Sequence, residues 1–257
     1  GSRYRTMEGQ SDFSVTNNMT IDRTDPEYVK AVVEQLPKRD DPQEQRILDL
    51  VKRECLSQKW AQDAFSRVRD LQIAYLRESM AHRDQPKVIH DRVQETIAQI
   101  ADLTHTRIIE GKENLDGLEQ GKPVLIATNH PGTFKLGAIN PREELGIDIP
   151  NFDLVYPSPI FIAPFYPVAQ EVGDNLYFSS LEYPLQMGDV HEASGFMTVR
   201  PVSEGRTQEL QNAVESLIKE HSNAAIVHFM EGGTTGKRSG KGLWDLEDFT
   251  TGGFVIA

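Results

Sequence analysis

A chain of 257 residues, 38% hydrophobic and 26% charged, is long enough for one large or two ordinary domains and lacks the bias of a disordered sequence. Its formal net charge of -12 argues against generic nucleic-acid binding, which needs clustered Lys and Arg, though a local basic pocket is compatible with an acidic protein. A single cysteine, Cys55, excludes an internal disulfide framework and fits a reducing, cytoplasmic setting.

Residues 1–25 show neither the charged leader nor the apolar stretch of a signal peptide. They are expected to be disordered or tag-derived, with Gly1-Ser2 a cloning remnant and Met7 the native start.

Residues 26–107 predict a helical bundle of four helices. Asp25 before Pro26, with Glu27 in the first turn, and Asp41 before Pro42 carry the capping chemistry of helix starts. Trp60, Ala64, Phe65, Val68, Leu71 and Tyr75 recur at steps of three and four, as do Val88, Ile89, Val93, Ile97, Ile100 and Ala101. Each set predicts one apolar helix face, read as core and not as a binding groove.

Residues 108–257 change to short apolar runs between Gly, Pro and charged helices, and predict an α/β domain. Strands are expected at 124–128, 153–157, 175–178, 196–200 and 224–229, with a helix over 207–221 carrying Leu210, Ala213, Val214, Leu217 and Ile218 on one side. A strand, helix, strand order at this spacing predicts a largely parallel sheet flanked by helices. The longest apolar run, PIFIAPFYPVA at 159–169, is broken by three prolines and does not span a bilayer. Core, lining of an apolar channel and contact with a bilayer surface are all open to it, with core favoured.

In parallel sheets, ligands gather at the carboxyl ends of strands, and three segments there carry chemistry. In VLIATNHPGTFKLG, Asn129 and His130 follow a strand, and the Pro131-Gly132 break turns the chain away. Such an imidazole can take a proton from a hydroxyl and pass it to a leaving group, although a hydrogen-bonded structural histidine is the plainer reading. Arg200 ends GFMTVRP, where a guanidinium can grip a phosphate bidentately or form a surface ion pair. In HFMEGGTTGKRSGKG, Glu231, Gly232, Gly233 and Thr234 precede Lys237, Arg238 and Lys241, an anion-binding composition that also suits a solvated polar loop. A P-loop does not fit, because Glu231 stands at its first glycine and Arg238 at its Ser/Thr.

Together and in this order, NHPGTFK, GFMTVRP and FMEGGTTG resemble the blocks of the glycerolipid acyltransferase superfamily, the glycerol-3-phosphate and lysophosphatidate acyltransferases, over roughly residues 108 to 257. The resemblance implies transfer of a fatty acyl group from acyl-CoA or acyl carrier protein to a phosphorylated, glycerol-like acceptor. His130 would be the general base, while Asn129, Arg200, Glu231, Gly232, Gly233 and Thr234 would shape the acceptor site. It implies no bound cofactor, no metal, no nucleic-acid partner, and a cytoplasmic or membrane-peripheral enzyme of phospholipid synthesis.

The match departs at Lys135, which stands at the Asp of the His-x4-Asp motif, at Met230 for a Pro, and at Thr234 for an Arg. The family's fourth block is expected beyond Ala257, so the domain reads as truncated. Lys135 places an ammonium where a carboxylate would orient His130 and stabilise its protonated form. Three explanations stay open: Glu143, Glu144 or Asp148 replaces the carboxylate; the chain is a weakly active or non-catalytic relative that binds lipid phosphates, with Lys135 as an anion contact; or the sequence was altered or trimmed.

Overall fold

The computed structural model describes residues 26–27, 30, 42–54, 56–118, 121–129, 138–148, 155, 159–172, 175–181, 188–199 and 206–230. The protein is mixed α/β: a four-stranded, all-parallel sheet lies between layers of helices.

Ahead of the sheet the described residues include the helices α1 (Pro42–Glu54), α2 (Lys59–Ala81) and α3 (Pro86–Leu103). Pro42 and Pro86 open their helices, where a missing N–H costs nothing. The face that α3 buries is the predicted one: Ile89, Val93, Ile97, Ile100 and Ala101. On α2 the buried face is rotated from the predicted stripe. Ala61, Val68, Gln72, Tyr75, Leu76 and Ser79 are buried, while Trp60 is 64% exposed. An apolar residue on a helix surface is ordinary, so the aromatic at the head of the stripe misled the count. Of the first expected helix, only Pro26, Glu27 and Lys30 are described, and they are helical.

The strands are β1 (Val124–Thr128), β2 (Leu176–Leu181), β3 (Phe196–Val199) and β4 (Ala225–Phe229), in the spatial order β1-β4-β2-β3. Between β1 and β2 come α4 (Pro159–Ile162) and α5 (Tyr166–Val172); α6 (Gly188–Ala193) precedes β3, and α7 (Arg206–Glu220) precedes β4. The expected strand at 153–157 is represented among the described residues by Val155 alone. Val155 forms an isolated antiparallel bridge with Ile139 and does not join the sheet.

Side chains alternate between the two faces of the sheet, as the pleat requires. Ile126, Leu176, Phe178, Phe196, Ala225 and Val227 share a core with α2, α3, α4 and α6, so α2 and α3 pack into the same core as the sheet. Leu125, Tyr177, Met197 and Ile226 point to the other face and meet Leu210, Ala213, Val214 and Leu217 of α7. Right-handed crossovers account for this split. The steps from β1 to β2 and from β2 to β3 run the same way along the sheet and keep their helices on one face, whereas β3 to β4 steps back and sends α7 to the other. The segment 159–169 contributes Pro159, Ile162, Ala163 and Ala169 to the interior. Of these, the Ile162 side chain stabilises the fold by about 1.5–3 kcal/mol through its burial. Among the described residues, no helix is long and apolar enough to cross a membrane.

Candidate functional site

The sheet brings together the strand ends that carry the candidate residues. β1 and β4 are neighbours with Thr128 opposite Phe229, and the Met230 amide donates to the Thr128 carbonyl at 2.9 Å. On the other side of β4, Phe178 of β2 lies opposite Val227 and also opposite Phe196 of β3. Extending this register two residues places Thr128, Phe229, Ser180 and Thr198 in one row across the sheet.

In sequence, His130 is the second residue after Thr128, Glu231 the second after Phe229, and Arg200 the second after Thr198. Three segments singled out for their chemistry thus follow one row at equal distance along the chain. Asn129 falls among the described residues and is half-buried, and the Thr128 hydroxyl donates to its carbonyl at 3.3 Å. His130, Lys135, Arg200, Glu231, Gly232, Gly233 and Thr234 lie outside the described residues. With adjacent strands about 4.8 Å apart, the ends of β1 and β4 are direct neighbours, and the end of β3 is three spacings from β1, roughly 14 Å.

The chain after the Asn129 segment is clamped from α2. Arg69 donates from Nη1 to the Ala138 carbonyl at 2.6 Å and pairs with the Glu144 carboxylate. Arg77 donates to the Glu144 carbonyl from Nε at 3.0 Å and from Nη2 at 2.6 Å. The Asn140 side chain accepts from the amides of Arg142 and Glu143, capping the short turn Pro141–Leu145. These contacts sort the three carboxylates considered as replacements for the missing aspartate. Glu143 is exposed, and Asp148 is exposed and paired with Arg142. Glu144 turns inward with its side chain 21% exposed, Oε1 held by Arg69 and Oε2 buried. Sequence reasoning missed Arg69 and Arg77, and no local signal marks them, because charged residues on a helix read as its solvated face.

A cavity of about 520 Å³ lies elsewhere, between the end of α3 and α5, lined by Ala98, Asp102, His105, Arg107, Tyr166 and Gln170 among others. Among the described residues that line it, Asn129 does not appear. Among the described residues, no group of three or more His, Cys, Asp or Glu could hold a metal ion. No family model, no curated protein and no solved structure matches this chain.

Proposed function

We propose that the chain is an acyltransferase that moves a fatty acyl group from an acyl-CoA or acyl carrier protein thioester to a hydroxyl of a glycerol-phosphate-like acceptor. The observation that carries this reading is the shared row: the segments bearing His130, Glu231 and Arg200 each begin from it, two of them from adjacent strands. A base, an anion-binding turn and a guanidinium carried by segments that leave one row of the sheet suit an acceptor that offers both a hydroxyl and a phosphate.

His130 removes the proton from the acceptor hydroxyl as its oxygen attacks the thioester carbonyl. The carbon–sulfur bond then breaks, the imidazolium returns the proton to the departing thiolate, and the products are an ester and a free thiol. Arg200 and the Glu231-Gly232-Gly233 turn hold the acceptor, with Asn129 and Thr234 alongside. The helices ahead of β1 are read as a bundle supporting this site, in a cytoplasmic, membrane-peripheral protein.

The experiment is to incubate purified protein with acyl donors and glycerol-3-phosphate and to follow free thiol. Acceptor-dependent release that is lost in His130→Ala supports the reading. No release across several acceptors, with phosphate ligands still bound in calorimetry, supports the second reading, an anion-binding module in which Lys135 is a ligand contact. Lys135→Asp separates the two further: it raises turnover if it restores an orienting carboxylate, and it abolishes binding if the lysine is itself the contact.

A further inference from the structure

Beneath the amino ends of the strands, opposite the ends that the candidate segments follow, three rings from different elements meet. His90 of α3 stacks on Tyr177 of β2 with centroids 5.8 Å apart, and Tyr177 lies 5.2 Å from His221, the residue after α7. The two imidazoles are 6.5 Å apart with planes only 8° from parallel. Tyr177 is fully buried. Gly195, at φ 84°, closes the cluster: a Cβ there would lie 2.8 Å from Tyr177 Cδ1 and 3.6 Å from His90 Cδ2. The cluster therefore joins the helical layer on one face of the sheet to the end of α7 on the other.

The geometry points to an acid-sensitive latch: His90 and His221 hold α3 against the sheet while both rings are neutral and release it when they protonate. Two imidazolium ions stacked at this separation beside a buried tyrosine repel each other and resist burial. The charged groups around them do not cancel that repulsion. On α3, Lys87 and Asp91 pair with each other, leaving Asp91 Oδ1 3.9 Å from His90 Nδ1. On α7, Glu220 adjoins His221. Toward α6, Arg83 and Asp189 are paired with each other. Burial is the largest influence on both rings and lowers both pKa values below the ordinary 6.5, against the weaker raising effects of Asp91 and Glu220.

The sign follows from linkage. A histidine whose folded pKa is depressed contributes stability above its unfolded pKa of 6.5, and that contribution is lost as pH falls from there toward the folded value. Each unit of depression in one ring is a tenfold factor in the folded-to-unfolded ratio.

Urea unfolding of the wild type, His90→Gln, His221→Gln and the double variant, from about pH 8 to about pH 5, tests the latch. The wild-type ratio should fall by at least about tenfold over this range, each single variant should flatten the fall, and the double variant should remove most of it. A double variant with the wild-type pH dependence overturns the proposal. Should the variants fail to fold, an NMR titration of the wild-type imidazoles decides. Both rings titrating at about 6.5 refute the latch, whereas depressed values accompanied by faster amide exchange in α3 at acid pH support it.

Discussion

The backbone amide of Met230 donates to the carbonyl of Thr128 at 2.9 Å, so the pairing of β1 and β4 continues past the last strand residue of β4. The two chains are therefore still joined at Thr128 and Met230, the residues that precede Asn129 and Glu231 in sequence. In a double-mutant cycle on kcat/KM, Asn129→Ala and Glu231→Gln should couple by at least about 0.5 kcal/mol. Arg200→Ala, rooted three strands away, should add to Asn129→Ala within about 0.5 kcal/mol. Additivity of the first pair would separate the two segments functionally.

Arg69 ties α2 to both ends of the turn that follows the Asn129 segment. Arg69→Ala removes the hydrogen bond to Ala138 and leaves the inward-turned Glu144 carboxylate without its cation. The expected destabilisation is about 1.5–3 kcal/mol in urea unfolding, discounted toward the lower end because the pair is partly solvated. Arg69→Lys should recover only part of it, since one ammonium cannot reproduce the fork. A loss below about 0.5 kcal/mol would mean that the clamp carries no stability.

Gly195 sits in the left-handed region, and its missing side chain makes room for the Tyr177 ring. Gly195→Ala imposes both left-handed strain and a contact of 2.8 Å on a fully buried ring. Thermal and urea unfolding should show a loss of at least about 2 kcal/mol. Adding Tyr177→Leu should restore part of that loss by removing the clash.

Tyr75 is buried, with its hydroxyl 2.5 Å from the Ser194 hydroxyl, and burial pushes its pKa up to about 12, against the lowering effect of the hydrogen bond to Ser194. A raised folded pKa means that stability is fully present below the ordinary 10.0 and is lost as pH rises toward about 12. Alkaline unfolding should therefore steepen above pH 10.0, and Tyr75→Phe should lessen that slope. At neutral pH the phenylalanine variant should cost only about 1 kcal/mol, because Ser194 still donates to the Val190 carbonyl. Ultraviolet absorbance of the phenolate, followed through the titration, provides the check.

The sequence by itself determined β1, β4, α7 and the face that α3 buries. β1 runs over the residues its apolar run predicts, β4 and α7 fall within a residue of their expected bounds, and Ile126 and Leu125 alternate between two cores because the pleat has a period of two. It also picked out Asn129, His130, Arg200 and Glu231 as residues placed after strands. What only the tertiary structure decided was which strand ends meet. Nothing local in VLIAT or AIVHF says that β4 inserts between β1 and β2; that depends on crossover handedness and on which helices can cover each face. The same holds for Arg69 and Glu144, 75 residues apart, and for His90, Tyr177 and His221, drawn from three elements. Periodicity records how a segment divides apolar from polar, and it carries no record of the partner that will cover the apolar side. For that reason Trp60 read as core and stands exposed.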